Sequence, residues 1–127
     1  MQRIKISSGS SFEKEIGYSR GLKIGNTIYI SGTTGYNYAT MQIDEDVAKQ
    51  TEQCILNIEK ALSDAGATLA DIVKLTYILP NADDFKLCWP NLKKYFGEIR
   101  PAATMISAGL ADDKMKIEIE AIAIIQE

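Results

Sequence analysis

The stretch MKIEIEAIAII, residues 115–125, has the side-chain pattern of a β-strand and is the last predicted element of the chain. Successive side chains of a strand point to opposite faces, so its residues divide into two sets. One set is wholly apolar and consists of Ile117, Ile119, Ala121, Ala123 and Ile125. The other set begins charged and ends apolar, in the order Lys116, Glu118, Glu120, Ile122 and Ile124. The stretch therefore predicts a strand with one face in the core and another that passes from solvent into an apolar environment.

Five further strands are predicted upstream of this one. They cover residues 2–6, 19–24, 27–31, 72–79 and 102–108. The second and third are joined by Gly25-Asn26, a dipeptide that tolerates positive φ and therefore favours a tight hairpin. Residues 7–15 are predicted to form a loop, and so is the small polar segment 31–35.

The first of two predicted helices follows a pair of acidic residues. Asp44 or Asp46 can cap its start, and apolar residues at helical spacing continue to about Ala65. Gly66 then ends the helix, because glycine readily adopts the left-handed conformation found past helix ends. The apolar stripe of this helix indicates a core-facing element.

The second predicted helix covers residues 81–96 and contains a proline. Pro90 cannot donate a backbone hydrogen bond, so it disturbs the interior of a helix. Two alternatives follow: a kink at this position, or a helix that begins near Cys88–Trp89.

The order of these elements, β-β-β-α-β-α-β-β, predicts an α+β fold. Because each helix lies between two strands, we expect one mixed six-stranded sheet with both helices packed on one face. Residues 1–127 are interpreted as a single domain. The other sheet face would carry Ile122 and Ile124, so oligomerisation through that face is a natural way to cover it.

The absence of histidine limits the chemistry available to the chain. With no His among 127 residues, Ser-His and Cys-His nucleophile pairs and histidine metal sites are excluded. The two cysteines, Cys54 and Cys88, fall on separate predicted helices and do not make a zinc site. We therefore expect no metal and no cofactor, and proton transfer would depend on Asp, Glu, Tyr, Lys or bound water.

Charge and hydropathy indicate a cytoplasmic protein. The net charge is -3 and no Lys/Arg cluster is present, so binding to nucleic acid is not expected. The chain has no apolar run long enough to cross a membrane, and its first residues lack the apolar stretch of a signal peptide.

Four motifs in the chain together resemble one family. In order they are Gly17-Tyr18-Ser19-Arg20, Ile30-Ser31-Gly32, Arg100-Pro101-Ala102 and residues 116–121. They resemble the RidA/YjgF family, once called endoribonuclease L-PSP or translation inhibitors. The resemblance implies a chorismate-mutase-like fold and a homotrimer with small-molecule sites in the clefts between subunits. It also implies hydrolysis of reactive enamine or imine intermediates, such as 2-aminoacrylate, to 2-keto acids and ammonia.

The resemblance assigns roles to several residues of this chain. The family's tyrosine near the N-terminus matches Tyr18, and its Ser-Gly pair matches Ser31 and Gly32. The carboxylate thought to hold the attacking water matches Glu118. On this basis Glu118 is the candidate catalytic residue, and the other three are candidate substrate-binding residues.

The chain departs from the family where the substrate carboxylate is held. Ala103 stands in place of an arginine, Met105 in place of a small polar residue or cysteine, and Trp89 in place of an asparagine. An arginine fork is a strong carboxylate anchor, and losing such a buried contact costs roughly 2–5 kcal/mol. Arg20 is the candidate substitute, because it is predicted to share a strand face with Tyr18. Little or no activity on 2-aminoacrylate is therefore expected.

Three functions remain open from the sequence. The first is a trimer that binds a small metabolite between subunits and hydrolyses an imine or enamine. The second is a ligand-binding or protein-interaction module without catalysis, in which Glu118 is a solvated charge and Trp89 and Met105 fill space. The third is a ribonuclease, which the missing histidine and the acidic charge balance disfavour.

Overall fold

Residues 1–126, which the computed structural model describes, form eight strands and three α-helices. In chain order these are β1 (Arg3–Ile6), α1 (Ser11–Ile16), β2 (Gly21–Ile24), β3 (Thr27–Thr34), β4 (Tyr36–Asn37), β5 (Gln42–Ile43), α2 (Val47–Asp64), β6 (Ile72–Leu79), α3 (Phe85–Phe96), β7 (Ala102–Ser107) and β8 (Glu118–Ile124). Short 3-10 turns, Leu69–Asp71 and Ala82–Asp84, precede β6 and α3.

The last strand of the chain lies inside the sheet. The six-stranded sheet has the order β1-β2-β3-β8-β6-β7, so β8 is flanked by β3 and β6, both antiparallel to it. β7 forms one edge and pairs in parallel with β6. The separate β4–β5 hairpin projects beyond the end of β3. The predicted mixed six-stranded sheet is confirmed.

The core lies between the sheet and the two long helices. The apolar set of β8 is buried as predicted, and it packs with side chains of β3, β6, α2 and α3. Fully or almost fully buried members are Ile28, Ile55, Ile58, Leu62, Leu75, Leu79, Ile117 and Ile119. Asp46 occupies the N-cap position of α2, although its side chain makes no capping hydrogen bond. Gly66 follows the C-cap with φ of 82°, as the sequence indicated. The opposite sheet face is left open within the described chain, where Tyr29 and Ile124 are exposed.

The prediction of a loop over residues 7–15 is wrong, because α1 begins at Ser11. The Ser10 side chain caps it by accepting a hydrogen bond from the Phe12 backbone N–H at 3.3 Å. Gly17 ends it with φ of 95°. Serine before and glycine after a helix are the usual signals. With only six residues and no buried apolar stripe, however, α1 lacks the periodicity on which helix prediction depends.

The prediction of a loop over residues 31–35 is also wrong. β3 continues through Thr34, and an irregularity between Ile30 and Thr33 shifts its pairing with β8. Two unpaired residues in a strand are typical of a bulge, which bends the backbone and re-aims side chains. The β4–β5 hairpin that follows was not predicted, since each of its strands has only two residues. β8 is also shorter than the predicted 115–125 and begins at Glu118.

The second long helix passes through its proline. α3 begins at Phe85, so the alternative start near Cys88–Trp89 is wrong. Pro90 is exposed on this helix, whereas Cys88 and Phe96, on either side of it in sequence, are buried. Anchoring in the core on both sides of the proline compensates for the backbone hydrogen bond that it removes.

We expect Gly35→Ala to destabilise the protein by about 3 kcal/mol, the upper part of the range for overpacking. Gly35 is buried against α2, and a Cβ there would lie 2.7 Å from the Cα and the backbone oxygen of Gln50. The backbone of α2 cannot shift away from an added Cβ as easily as a flexible side chain can. Gly109→Ala is the matched control, because a Cβ there meets nothing within 4 Å. Urea unfolding at equal protein concentration should separate the two variants, and equal midpoints would contradict the packing described.

Candidate functional site

A cleft of about 430 Å³ opens at the end of the sheet where β3 meets β8. Its floor consists of Arg20, Gly32, Thr34 and Glu118. Three tyrosines border it, namely Tyr18, Tyr36 and Tyr38. Much of its remaining wall is apolar and comes from α1, the β4–β5 turn and the segment before β8, through Phe12, Ile16, Met41 and Met115. The volume falls within the range of sites for small molecules.

Arg20 is buried beneath this cleft, where only 4% of it is exposed, and its guanidinium is the centre of a group of polar and aromatic contacts. Its Nη1 donates to the backbone oxygen of Gly32 at 2.7 Å and to Thr33 Oγ1 at 2.9 Å. Its Nη2 donates to the Tyr18 hydroxyl at 3.2 Å. The rings of Tyr18 and Tyr38 lie 5.6 and 5.2 Å from the guanidinium carbon, which is within cation–π range. Arg20 therefore joins the segment before β2 to the bulge of β3.

The backbone around Arg20 is held by the same bulge. The Ser31 backbone N–H donates to the Arg20 carbonyl at 3.0 Å, and the Ser31 hydroxyl donates to the Ser19 carbonyl at 2.6 Å. Tyr18 and Arg20 were predicted to lie on a strand, but β2 begins only at Gly21. The two side chains nevertheless meet, because hydrogen bonds to the bulge fix the segment that carries them.

Glu118, the first residue of β8, lies directly over Gly32. A Cβ on Gly32 would overlap the Glu118 carboxylate, at 2.8 Å from its Cδ. Glycine is therefore required at this position if the carboxylate is to keep its place. Within residues 1–126, no protein group donates a hydrogen bond to this carboxylate, so its oxygens can accept from a ligand or from water.

The surroundings of Glu118 raise the pKa of its carboxyl. Burial of the side chain raises the pKa of this carboxyl, the nearby Arg20 lowers it and Glu120 raises it, with a net increase above the ordinary value of 4.5. Burial is the largest of these effects, because it penalises the charged form. A carboxyl with a raised pKa can both accept and return a proton at moderate pH.

A tyrosine–aspartate pair fixes the rim of the cleft. The Tyr36 hydroxyl donates to Asp112 Oδ2 at 2.8 Å. The other oxygen of Asp112 accepts from the backbone N–H groups of Lys114 and Met115, which orders the segment before β8. Burial, together with the hydrogen bond to Asp112, raises the pKa of Tyr36, which favours the neutral phenol.

The structure brings together four of the residues that the sequence singled out: Tyr18, Arg20, Gly32 and Glu118. Ser31 lies beside them in the bulge, but it borders the open face of the sheet rather than the cleft. Sequence reasoning missed Thr34, Tyr36, Tyr38 and Asp112, which join the site only through tertiary contacts. The closely spaced Tyr36 and Tyr38 are the one local signal that could have indicated an aromatic wall.

Trp89, Ala103 and Met105 lie away from the cleft in the isolated chain. β7 carries Ala103 and Met105 on the edge of the sheet, and β6 separates it from β8. The Trp89 ring is half exposed and meets Phe85 edge-on at 6.2 Å between centroids. Phe85 in turn contacts Tyr77, the residue opposite Met105 in the sheet. These residues form a second region, at the β7 edge.

Other kinds of site are not apparent in the described chain. Within residues 1–126, no group of three or more acidic or cysteine side chains is placed to hold a metal ion. Both cysteines are buried and free, and burial strongly raises the pKa of Cys54, whose thiol donates to the Thr33 carbonyl at 2.9 Å. A thiol in this state is a poor nucleophile. In the same part of the chain, no helix is both long and apolar enough to cross a bilayer.

Fold and site together define an α+β protein with a half-buried carboxylate in a cleft suited to a small molecule. A family model described as Endoribonuclease L-PSP matches residues 9–125. A RutC family protein of Pyrococcus abyssi is 38% identical over 112 residues, which cover 87% of this chain and 88% of that protein. A 2-iminobutanoate/2-iminopropanoate deaminase of Bos taurus is 34% identical over 122 residues, which cover 94% of this chain and 89% of that protein.

A solved structure gives the same result for the fold. A member of the YjgF/YER057c/UK114 family from Mycobacterium tuberculosis superposes with a TM-score of 0.89 at 36% identity, and the match covers 98% of this chain and 100% of that one. The chain belongs to the endoribonuclease L-PSP family, which is the RidA/YjgF family that its motifs resemble.

Proposed function

We propose that the protein binds small imines or enamines in this cleft and hydrolyses them to a carbonyl compound and ammonia. The observation that carries the proposal is the Glu118 carboxylate, which is half-buried, receives no hydrogen bond from the described chain and faces a cleft with an apolar wall. Relatives with the printed name 2-iminobutanoate/2-iminopropanoate deaminase support the same chemistry.

Glu118 performs the proton transfers in the proposed mechanism. Its carboxylate accepts a proton from a water molecule as the water oxygen bonds to the carbon of a protonated imine. The protonated Glu118 then returns that proton to the nitrogen of the tetrahedral intermediate. As the C–N bond breaks, the Glu118 carboxylate takes up the hydroxyl proton and the carbonyl forms. Ammonia leaves with the electrons of the C–N bond and accepts that proton as ammonium. An enamine enters the same sequence after protonation at its carbon, which converts it to an imine. The raised pKa of Glu118 suits a group that takes up and releases a proton in one cycle.

Ammonia release from freshly generated imines tests this proposal. The protein is added, in excess over the generating oxidase, to an imine formed in place, and ammonia is measured against an equal mass of albumin. Acceleration over albumin supports hydrolysis. No acceleration for any imine, with or without a carboxylate, contradicts it, and binding without turnover would instead favour a ligand-binding module.

We further propose that the open sheet face assembles the chain into a homotrimer. A row of paired residues runs across this face through Leu22, Tyr29, Ile122 and Lys74. Half-buried Ile78 and exposed Ile106 form a second apolar pair on the same face, beyond Thr76 and Glu120. Exposed apolar side chains on an uncovered sheet face favour an interaction site. In such an assembly the β7 edge of a second copy, with Ala103, would close the cleft.

The expected mass in solution is therefore about 42 kDa, three times the 14.0 kDa of one chain. Light scattering after gel filtration measures it. Ile122→Glu places a charge in the proposed interface and should give a smaller species, whereas Leu56→Glu, on the exposed side of α2, should not. A wild-type mass of about 14 kDa would contradict the trimer.

Glu118 is expected to titrate with a midpoint above 4.5, because burial favours its neutral form. Glu120→Gln removes a neighbouring negative charge that raises this pKa, so the midpoint should move to lower pH in that variant. The side-chain carboxyl carbon resonance, assigned by comparison with Glu118→Gln, reports the titration directly. A wild-type midpoint at or below 4.5 would contradict the described burial.

A further inference from the structure

The charges that line the cleft do not favour a negatively charged ligand. Its lining contains one cation, Arg20, and two carboxylates, Glu118 and Asp112. An anion entering the cleft would approach both acids, and in a partly desolvated site this repulsion is stronger than in water. A carboxylate on the ligand would therefore need a specific anchor.

Arg20 is poorly placed to be that anchor. A guanidinium has five N–H groups, and both on Nη1 are used by Gly32 and Thr33, while one on Nη2 is used by Tyr18. Nε has no hydrogen-bond partner within residues 1–126, but it is buried. A bidentate grip on a carboxylate needs two neighbouring N–H groups within reach. The two unused N–H groups, Nε and the second of Nη2, cannot serve as such a pair while Nε is buried, so Arg20 would have to leave the contacts that hold the bulge of β3.

The walls of the cleft suit a different ligand. Arg20 already lies over the rings of Tyr18 and Tyr38, but the Tyr36 ring remains at the border of the cleft, beside Glu118 and Asp112. An aromatic ring and two carboxylates together favour a cationic nitrogen. The apolar side chains of α1 and the segment before β8 suit an alkyl or aryl body.

The β7 strand adds no positive charge either. Its six residues, AATMIS at 102–107, are uncharged, so the strand itself would bring no charge to the cleft from a second copy. Ala103 in particular offers only a methyl group.

From these contacts we infer that the cleft selects imines that lack a carboxylate, derived from aldehydes or simple ketones, over 2-imino acids. The inference rests on the proposed function for the reaction, but its binding preference stands on the geometry alone. In the balanced reaction, a protonated imine and water give an aldehyde or ketone and ammonium. The water oxygen forms the new bond to carbon, and the nitrogen leaves with the electrons of the C–N bond.

A matched pair of imines tests the preference in turnover. A flavin amine oxidase converts 2-phenylethylamine to the imine of phenylacetaldehyde, and an amino-acid oxidase converts phenylalanine to the corresponding 2-imino acid. The two products differ by one carboxylate. We expect the protein to accelerate hydrolysis of the first at least ten times more than that of the second, a ratio that corresponds to about 1.4 kcal/mol. Equal acceleration, or a preference for the 2-imino acid, would overturn the inference and leave the proposed hydrolysis intact.

Calorimetric binding of the parent compounds decides the inference even if no imine is hydrolysed. 2-Phenylethylamine is expected to bind at least ten times more tightly than phenylalanine. Asp112→Asn should weaken amine binding several-fold and leave the affinity for phenylalanine unchanged. Asp113→Asn is the matched control, since Asp113 is adjacent in sequence but does not line the cleft. Equal affinities, tighter binding of phenylalanine, or no binding of the amine would each overturn the inference.

Discussion

Arg20→Met is expected to lower the free energy of unfolding by about 2–4 kcal/mol, although methionine has a similar length and no charge to bury. Three hydrogen bonds from the guanidinium disappear, and the buried Thr33 hydroxyl and the Gly32 carbonyl lose a donor. Each polar group left unsatisfied in the interior costs about 1–3 kcal/mol. The contacts with the rings of Tyr18 and Tyr38 are lost as well.

Chemical unfolding at fixed protein concentration measures this effect. Arg3→Met serves as the control, because Arg3 is exposed on β1 and should change stability by no more than about 0.5 kcal/mol. If Arg20→Met and Arg3→Met were equally stable, the Arg20 side chain would contribute no more to stability than an exposed one, and its guanidinium would be free to bind an anion. That result would undermine both the contacts of Arg20 and the ligand preference that depends on them.

Glu118→Gln is expected to reduce imine hydrolysis by about 10²–10⁴-fold, the usual contribution of a general acid–base group. Glutamine keeps the shape of the side chain, so the cleft and its apolar wall remain. The fold should tolerate the change well, because burial penalises the charged form of Glu118, as its raised pKa shows, and glutamine carries no charge. Stability relative to wild type should therefore not fall as the pH rises through that pKa.

The measurement is kcat for ammonia release from the carboxylate-free imine, with Glu98→Gln as the control. Glu98 is exposed and lies outside the cleft lining. A loss restricted to Glu118→Gln supports its role in proton transfer. A change of less than about threefold in Glu118→Gln would assign the chemistry to another group.

The sheet and its long helices could be predicted because their signals are local and repeated. β8 alternates over its whole length, and α2 carries an apolar stripe that the structure buries. α1 and the β4–β5 hairpin escaped prediction because they are too short for periodicity to accumulate. Of the two alternatives at Pro90, the later helix start near Cys88–Trp89 is wrong, since tertiary packing of α3 outweighs a single missing hydrogen bond.

The site was predictable only in part, because some of its residues meet only through tertiary contacts that leave no local pattern in the sequence. Motifs indicated Tyr18, Gly32 and Glu118, and the structure places them around one cleft. The role of Arg20 depends on a bulge that turns the Gly32 carbonyl toward it, and no local pattern predicts that geometry. Asp112 is joined to Tyr36 across 76 positions of the chain, a contact that exists only in the folded protein.

The Arg20→Met and Glu118→Gln variants distinguish a structural role in the cleft from a catalytic one. Arg20 acts through the backbone that it fixes, so its loss should change stability first. The Glu118 side chain makes no hydrogen bond to the described chain, so its loss should change turnover first. A protein in which both substitutions affected only turnover would have a different site from the one described.

A crystal structure of the wild-type protein with 2-phenylethylamine tests the central claim most directly. We predict density for the amine in the cleft, with its nitrogen within about 2.7–3.2 Å of a Glu118 carboxylate oxygen and its ring against the apolar wall formed by Phe12 and Met115. Arg20 should keep its contacts with Gly32 and Thr33 in that complex. An amine bound only outside the cleft, or an Arg20 side chain released to face the ligand, would contradict the account.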